Sequence, residues 1–258
     1  MKTMNLCHDF RYGKIIYNQM DLYVGKSLKF YGEYSQGEAE LFDSIIRPDD
    51  WIIEGGANIG AHTVHLAQLV GDSGAVIAFE PQRLTFQLLA GNIAINNLTN
   101  VQCLHKCLSD ESGFVNVPVL EPTQKNNFGA LSLENNYPDG ELVEVTTLDS
   151  FKFRRCDFIK LDVEGMELKV LKGAESLIEK FHPIIYVEAN PGEKRPPLLA
   201  WIREHGYKIY PHVVPFYNPE NFFRNPENIF GSCVSVNVLC VPAQRDWLEI
   251  SGVEEIFS

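Results

Sequence analysis

The sequence predicts an α/β fold in which helices cover both faces of one mostly parallel β-sheet. From Asp49 onward, short apolar segments alternate with segments whose apolar residues recur at helical spacing. The short segments are apolar almost throughout, as expected of strands that are buried on both faces. Strands and helices that alternate in this way form parallel sheets. The 258 residues suffice for one such domain with a small extension.

The N-terminal part of the chain does not follow this rhythm. In residues 1–37, apolar and polar residues alternate between glycines, which predicts short strands or a hairpin. We expect this segment to be an extension that packs on or covers the main domain, residues 38–258. The segment EAELFDSII has its apolar residues on one helical face and ends before Pro48, which predicts a helix.

The main domain then alternates between strands and helices. The predicted strands are WIIEGG, AVIAFEP, VQCLHKCLS, DFIKLDVEG, PIIYVEAN, YKIYPHV and CVSVNVLCVP. The predicted helices are AHTVHLAQLV, LTFQLLAGNIAINN, MELKVLKGAESLIEKF and RPPLLAWIREHG, and a hairpin-like run, GFVNVPVL, follows the third strand. Since no helix separates the last strand from the C-terminal tail, we expect that strand to be antiparallel and inserted beside its predecessor.

Two inserted loops interrupt the pattern, at residues 121–144 and 214–232. Long irregular connections in compact domains are usually functional or disordered. The second loop is too rich in aromatic residues for disorder; these are Phe216, Tyr217, Phe222, Phe223 and Phe230. It is predicted either to pack on the surface or to form a lid over an acceptor, where Phe222 and Phe223 would suit stacking on a sugar or an apolar metabolite.

The composition argues against several classes of partner. There are 22 basic and 34 acidic residues, a net charge of −12, whereas a nucleic-acid binder normally carries a basic surplus. The six cysteines form no CxxC pair and lie mostly in apolar runs, which indicates reduced, buried thiols. The N-terminus lacks the apolar core of a signal peptide, and no apolar run is long enough to span a membrane. We therefore expect a cytoplasmic protein.

A glycine-rich turn, IIEGGANIG, joins the first main-domain strand to its helix. Ligands of open parallel sheets bind at the carboxyl ends of the strands, where strand order reverses. A dinucleotide motif, G-x-G-x-x-G, would fall on Gly55, Ala57 and Gly60, and the methyl group of Ala57 would crowd the pyrophosphate. S-adenosylmethionine (SAM) has no phosphate, and the pattern Glu54, Gly56, Gly60 suits it better.

Acidic residues end two further strands. Glu80 ends AVIAFEP, 20 residues after Gly60, where its two oxygens can bind both hydroxyls of a ribose. Either cofactor has a ribose, so Glu80 does not discriminate between them. Asp162 and Glu164 end DFIKLDVEG, a strand expected beside the first one and hence beside the cofactor. Capping of the next helix is the alternative role for Glu164 and suits Glu167.

Four stretches together resemble FkbM-type SAM-dependent methyltransferases, from about Tyr31 to Pro242. They are IIEGGANIGAHTVHLA, VIAFEP, VTTLDSF and IKLDVEGMELKVLKGA, in this order and spacing. The resemblance implies the class I SAM methyltransferase (Rossmann-like) fold: a seven-stranded, mostly parallel sheet with helices on both faces and one antiparallel strand near the C-terminus. It also implies O-methylation of a hydroxyl group on a sugar, glycan, polyketide or other small metabolite.

The resemblance also assigns cofactor contacts. The methionine part of SAM would meet Glu54, Gly56, Ala57, Asn58 and Gly60, and Asp162 would lie near both that part and the acceptor. Glu80 would bind the ribose, with Pro81 and Gln82 beside the adenine and with Ser109 and Asp110 as further adenine contacts. The family usually has aspartate at the position of Glu54, whose extra methylene must be absorbed by a shifted turn or a lost water.

The expected chemistry is an in-line transfer in which alignment is the main task. A sugar-type hydroxyl also needs a base, for which Asp162 and Glu164 are the candidates, ahead of His182 and His212. Histidines 62 and 65 are expected to pack rather than to act. No trusted set of metal ligands is evident.

Two other functions remain open. One is a nicotinamide-dependent oxidoreductase, disfavoured by Ala57 and by the lack of a Tyr-x-x-x-Lys set. The other is a SAM-binding protein without transferase activity, for which Glu54 is the only hint. The expected partner is a small-molecule hydroxyl acceptor, with no nucleic acid, and a homodimer is kept as a candidate assembly.

Overall fold

The structure, a computed structural model, describes residues 4–133 and 137–244. The strands are β1 (Asn5–Phe10), β2 (Gly13–Asn18), β3 (Trp51–Gly55), β4 (Ala75–Phe79), β5 (Val101–Leu104), β6 (Cys107–Leu108), β7 (Gly113–Val117), β8 (Glu141–Thr146), β9 (Phe158–Leu161), β10 (Ile184–Glu188), β11 (Tyr207–Pro215) and β12 (Val234–Pro242). The helices are α1 (Val24–Tyr31), α2 (Gln36–Ile45), α3 (Ala61–Val70), α4 (Arg83–Ile95), α5 (Glu167–Lys172), α6 (Glu175–Phe181) and α7 (Arg195–Glu204).

A seven-stranded sheet forms the centre of the molecule, in the order β11-β12-β10-β9-β3-β4-β5. Strand β12 is antiparallel to both of its neighbours, and the pairs β10–β9, β9–β3, β3–β4 and β4–β5 are parallel. The predicted fold class and the inserted antiparallel last strand are therefore confirmed. Strand order reverses between β3 and β9, so the glycine turn and the DVEG segment follow adjacent strands.

The core strands are buried on both faces, as their continuous apolar composition predicts. Ile53 faces a core shared with α5, α6 and α7, to which Val170, Ile178 and Ile202 contribute. Its neighbour Ile52 faces the opposite core, shared with α2 and α3. Because successive strand residues point to opposite faces, one apolar strand serves two hydrophobic layers.

The N-terminal segment begins with the expected hairpin, β1–β2. Its next part was predicted as strand but forms helix α1. The apolar residues Val24, Leu28 and Tyr31 recur at helical spacing and are all buried, and Gly32 ends the helix with a φ of +65°. The glycine-broken alternation of the surrounding sequence concealed this shorter helical pattern.

Two predicted elements divide in the structure. VQCLHKCLS splits into β5, in the main sheet, and β6, which joins a small sheet of order β6-β8-β7. The predicted helix MELKVLKGAESLIEKF splits into α5 and α6 at Gly173, where a Cβ would overlap the carbonyl oxygen of Ser109. Asp149 then accepts hydrogen bonds from two backbone N–H groups of the first turn of α6.

The two predicted loops are partly regular. Glu141–Glu144 of the 121–144 segment belong to β8, and residues 134–136 lie outside the described residues. The first two residues of the 214–232 segment extend β11. The rest of this aromatic loop packs against the N-terminal region, where the Tyr31 hydroxyl donates to the Glu227 carbonyl and accepts from the Ile229 N–H, both at 2.9 Å.

Two expectations about the chain as a whole can be compared with the structure. All six cysteines are free, but Cys7 and Cys233 are exposed, so the expectation of burial holds for only part of the set. Within residues 4–133 and 137–244, no helix has both the length and the apolar character needed to cross a membrane.

Candidate active site

A cavity of about 250 Å³ opens at the carboxyl ends of β3, β4, β9 and β10, where strand order reverses. Its floor comes from the turns that follow these strands. Its other walls come from the N-terminal region, from the 121–144 segment and from the aromatic loop. The polar or aromatic lining residues that matter below are Tyr34, Asn58, Glu80, Gln82, Lys106, Asp162, Glu164, Glu188 and Phe216.

The glycine turn lies in direct backbone contact with the end of β9. Gly56 has a φ of +75°, and a Cβ there would overlap the carbonyl oxygen of Asp162. The Asp162 N–H also donates to the Gly55 carbonyl at 3.1 Å. Gly60 has a φ of +86° and packs on Leu89 of α4. Glycine is thus required here for close packing as well as for the turn.

Of the residues predicted in this turn, Gly56 and Asn58 line the cavity. Ala57 and Gly60 are buried beneath it and support the turn.

Glu80 links the turns that follow β3 and β4. Its Oε2 accepts from the Asn58 N–H at 3.0 Å, and its Oε1 accepts from the Gln82 N–H at 2.9 Å. Burial raises the pKa of Glu80 to about 7 in spite of these two hydrogen bonds. A carboxylate has more acceptor positions than these two N–H groups use, so Glu80 can still accept from a ligand in the cavity.

Glu54 is fully buried below the turn and does not line the cavity. Its Oε2 accepts from the Thr63 hydroxyl at 2.6 Å, and its Oε1 lies 3.9 Å from Lys160 Nζ. Burial raises the pKa of Glu54, while Lys160 and Thr63 oppose this shift. The structure therefore separates Glu54 from the cavity that its neighbours Gly56 and Asn58 line.

Three carboxyl groups converge at the ends of β9 and β10: those of Asp162, Glu164 and Glu188. Burial and Asp162 raise the pKa of Glu164 to about 7, and burial, Asp162 and Glu164 raise the pKa of Glu188 to about 9. Burial also raises the pKa of Asp162, which Lys160 Nζ opposes from 3.8 Å. Glu164 and Glu188 also face a neighbouring cavity of about 240 Å³.

Sequence reasoning missed two residues of this site. Glu188 ends PIIYVEAN as Asp162 ends DFIKLD, so the rule that selected one acid at a strand end could have selected the other. Tyr34 reaches the cavity from the N-terminal region, where no sequence pattern marks it. Burial and the nearby Asp162 and Glu38 raise the pKa of Tyr34 well above its ordinary value, so its hydroxyl is a neutral donor.

The structure does not bring Ser109 and Asp110 into the cavity. The sequence argument assumed that they end the third strand of the main sheet, but β5 already ends at Leu104. Ser109 follows β6, donates its N–H to Thr146 and its hydroxyl to Asp110. Lys106, Cys107 and Leu108 line the cavity in their stead.

The other candidate side chains also lie away from the cavity lining. His62 and His65 pack within α3, as expected, with His62 Nε2 3.7 Å from Glu38 and His65 stacked on Tyr12. His212 Nδ1 lies 2.8 Å from the Tyr186 hydroxyl, and His182 is exposed after α6.

From the aromatic loop it is Phe216, not Phe222 or Phe223, that reaches the cavity. The described residues contain no group of three or more His, Cys, Asp and Glu side chains arranged to hold a metal ion.

Comparison with known proteins gives this cavity a context. The chain is 28% identical over 199 residues to Methyltransferase sdnD of Sordaria araneosa, which covers 62% of this chain and 74% of that protein. It is 30% identical over 160 residues to the Hexuronic acid methyltransferase AglP of Haloferax volcanii, covering 61% and 64%. A SAM-dependent O-methyltransferase from Thermotoga maritima superposes with a TM-score of 0.51 at 15% identity, covering 92% of this chain and 77% of that one, which shows a shared fold.

Residues 54–209, more than half of the chain, match the profile of the Methyltransferase FkbM domain. The match begins at Glu54, below the glycine turn, and includes Glu80, Asp162, Glu164 and Glu188. The matched segment thus contains every carboxyl group described above on the cavity wall. The chain belongs to the FkbM methyltransferase family.

Proposed function

We propose that the protein transfers the methyl group of SAM to a hydroxyl group of a small molecule of the sugar, glycan or secondary-metabolite class. The observation that carries this proposal is the shared cavity at the strand-order reversal. Gly56, Asn58, Glu80 and Asp162 line one space, where the first three suit a cofactor and the last faces an acceptor. A relative that is named for hexuronic acid supports a sugar-type acceptor.

The charges of the cavity suit SAM better than a dinucleotide. Four carboxyl groups line it, those of Glu80, Asp162, Glu164 and Glu188. Among the described residues, Lys106 is the only basic side chain in the lining, and it forms an ion pair with Glu144. A pyrophosphate would be repelled by those of these acids that are ionised, whereas the ammonium and sulfonium of SAM would be attracted to them and would favour their ionised forms. Together with the family assignment, the acidic lining of the cavity argues against the alternative of a nicotinamide-dependent oxidoreductase.

Each part of the site has a separate task in the proposed reaction. When bound, SAM supplies a methyl group on a sulfonium leaving group. The turn at Gly56 and Asn58 holds the methionine part, Glu80 accepts from the ribose hydroxyls, and Pro81 and Gln82 border the adenine. Asp162 accepts the proton of the acceptor hydroxyl, with Glu164 as the second candidate base. A base of this kind contributes about 100- to 10,000-fold in rate.

Binding and transfer can be tested separately. Isothermal titration calorimetry with S-adenosylhomocysteine (SAH) and with NAD tests the cofactor. Radiolabelled SAM with a panel of sugars and hydroxylated metabolites tests the transfer. We expect SAH to bind, NAD not to bind, and Asp162→Asn to retain SAH binding while losing about 100-fold or more in transfer rate. Glu179→Gln, an exposed acid on α6, is the matched control.

Three outcomes would contradict parts of this proposal. Binding of NAD without SAH would exclude the cofactor assignment. Binding of SAH with no transfer to any hydroxyl would favour a SAM-binding protein without transferase activity. Full turnover by Asp162→Asn would remove Asp162 as the base and direct attention to Glu164.

A further inference from the structure

We propose that Lys160, a residue outside the cavity, is a positioning residue that orients the carboxylate of Asp162 and keeps it ionised, and that Glu54 acts as the second partner of Lys160 instead of as a direct cofactor ligand. The inference rests on the proposed function for the meaning of Asp162. The pairing of Lys160 with the two acids rests on the structure alone.

The geometry of the sheet brings these side chains together. Lys160 lies on β9, directly opposite Glu54 of β3 and Tyr186 of β10 in the strand register. Asp162 comes two residues after Lys160, so both side chains lie on the same face of the sheet. Lys160 Nζ lies 3.9 Å from Glu54 Oε1 and 3.8 Å from Asp162 Oδ2. The ammonium thus bridges a buried acid and an acid of the cavity wall.

The burial of Lys160 and Glu54 indicates that the pairing of Lys160 with acids matters for this site. The side chain of Lys160 is 3% exposed and that of Glu54 is 1% exposed, whereas Asp162 is 37% exposed. Burying a charge in the centre of a sheet is strongly unfavourable unless it is paired. The residues on either side in β9, Ile159 and Leu161, are apolar, as the centre of a parallel sheet requires. Lys160 is therefore a charged residue among apolar ones, and its burial is strongly unfavourable without its acidic partners.

The surroundings of Asp162 act on its protonation in opposite directions. Burial and, to a smaller extent, Glu38 at the start of α2 raise the pKa of Asp162, and Lys160 lowers it. The titratable groups that interact with this pair from the elements packed around it are Tyr34, Glu38 of α2, Glu54 of β3, His62 of α3, Glu80 after β4, Glu164, Glu167 of α5, and Tyr186 and Glu188 of β10. Burial and Lys160 lower the pKa of His62 well below its ordinary value, so His62 adds no positive charge.

The same contacts account for the position of Glu54. Its carboxylate is engaged by the Thr63 hydroxyl on one oxygen and faces Lys160 with the other. Thr63 lies in the first turn of α3, so Glu54 connects that helix to the ammonium that faces Asp162. A shorter aspartate would have to shift to keep both contacts. Glu54 then influences the cavity through Lys160 and not through a ligand contact of its own.

Lys160 would affect the reaction through the protonation state of Asp162. Only an ionised Asp162 can accept the proton of an acceptor hydroxyl. An opposite charge within about 4 Å lowers the pKa of a carboxyl group by about 1 to 3 units. Without Lys160, a larger fraction of Asp162 would be protonated near neutral pH.

The test is a direct titration of Asp162 that does not depend on methyl transfer. The carboxyl resonances of protein labelled with ¹³C-aspartate are followed against pH by NMR, and the Asp162 signal is assigned as the one missing from Asp162→Asn. In Lys160→Met we expect the Asp162 midpoint to rise by about 1 unit or more. In Lys160→Arg, which keeps the charge, we expect it to stay near the wild-type value.

A double variant decides whether Lys160 serves Asp162 or merely neutralises Glu54. Lys160→Met/Glu54→Gln removes both buried charges, a change that proteins commonly tolerate even where the single change unfolds them. The glutamine can still accept from Thr63. The reference for the double variant is Glu54→Gln alone, because loss of the Glu54 charge by itself lowers the Asp162 midpoint. If Lys160 acts on Asp162, the midpoint of the double variant lies above that of Glu54→Gln. If these two midpoints are equal, or the midpoint never moves in Lys160→Met, the proposal is wrong.

Failure of this inference and failure of the proposed function give different results. If wild-type protein does not bind SAH, the proposed function fails, although the titration still reports on Lys160 and Asp162. If SAH binds and the Asp162 midpoint is insensitive to Lys160, the function stands and the positioning role falls. Thermal unfolding of each variant by circular dichroism confirms that the titrations compare folded proteins.

Discussion

The contact between Gly56 and Asp162 shows how a single residue sets the geometry of the site. At Gly56, a φ of +75° coincides with a backbone approach that leaves no room for a Cβ. The sequence places Gly56 in the turn expected to meet the methionine part of SAM. The structure adds a second reason, because the end of β9 occupies the space that a side chain would need. One glycine thus fixes the position of Asp162 relative to the turn.

We expect Gly56→Ala to lower the free energy of unfolding by about 2 kcal/mol or more, because it adds backbone strain to an overlap with Asp162. Gly206→Ala is the matched control, since Gly206 has a similar φ of +79° but no atom within 4 Å of a Cβ position. Gly206→Ala should lose only the stability that backbone strain at a positive φ accounts for. Urea unfolding of both variants measures the difference, and equal losses would show that the contact with Asp162 does not matter.

A substitution of Glu80 tests the part of the site that is proposed to bind the ribose of SAM. In Glu80→Gln, one of the two backbone N–H groups now bound by the carboxylate would face an amide NH₂ group. We expect SAH to bind about 30-fold more weakly, which corresponds to about 2 kcal/mol for a hydrogen-bonded charged group. Calorimetric titration of SAH into Glu80→Gln and into the exposed-acid control Glu179→Gln measures this. Unchanged affinity in Glu80→Gln would remove Glu80 from the ribose assignment.

At the scale of elements, sequence patterns were reliable where one period dominates a segment. Strand β9 and helix α3 follow from an apolar run and from helical spacing, and α3 has the predicted bounds. The division between α5 and α6 could not be predicted, because it depends on the Ser109 carbonyl that approaches Gly173 from a distant part of the chain. Likewise, the sequence did not show that the chain turns between β5 and β6, so that Ser109 follows β6 and does not line the cavity.

The residues of the site also divide into those that local sequence predicts and those that depend on contacts with distant parts of the chain. Asp162 and Glu80 were predictable because a rule about strand ends applies to each strand separately, and that rule also covers Glu188. Tyr34 was not predictable, since it reaches the cavity through the packing of the N-terminal region on the core. The pairing of Glu54 with Lys160 was not predictable either, since Lys160 is on a strand more than 100 residues later in the chain.

The aromatic loop is attached to the N-terminal region through Glu33, which is 3% exposed. Its Oε2 accepts from Arg11 at 2.6 Å and from the Phe222 N–H at 2.8 Å, and its Oε1 accepts from Asn218. We expect Glu33→Ala to lower the free energy of unfolding by about 2 kcal/mol and to accelerate amide exchange in the loop. Hydrogen–deuterium exchange with mass spectrometry measures the second effect.

The control for Glu33 is the exposed ion pair between Lys14 and Asp9, at 2.7 Å. Lys14→Ala removes a pair of similar length from the same hairpin region, but solvent screens it, so neither stability nor loop exchange should change measurably. If Glu33→Ala left the loop protected, its other contacts with the N-terminal region would suffice to hold it. These are the hydrogen bonds of the Tyr31 hydroxyl to Glu227 and Ile229, and the ring contacts of Tyr23 and Tyr31 with Phe216, Tyr217 and Phe230.

At the scale of the whole molecule, acidic groups brought together at one sheet edge couple stability to pH. The pKa values of Glu80 and Glu164 are raised to about 7 and that of Glu188 to about 9, from 4.5. Between pH 4.5 and these values the folded protein binds protons that the unfolded chain has released, so these groups make stability fall as pH rises. The ligand-free protein should therefore lose thermal stability between about pH 4.5 and pH 9 through this site, most steeply below pH 7, where all three groups contribute.

A cationic cofactor should reverse this effect, because a positive charge favours the ionised carboxylates and lowers their pKa values. We expect the carboxyl groups of the protein to release protons when SAM binds at pH 7.5. They should release fewer when SAH binds, because SAH lacks the sulfonium. Calorimetry in two buffers with different ionisation enthalpies gives the number of protons released. Glu188→Gln should reduce that number for SAM, whereas Glu179→Gln should not. Identical heats in both buffers for wild-type protein would mean that the carboxyl groups do not sense the cofactor charge, and the charge argument for SAM over a dinucleotide would have to be abandoned.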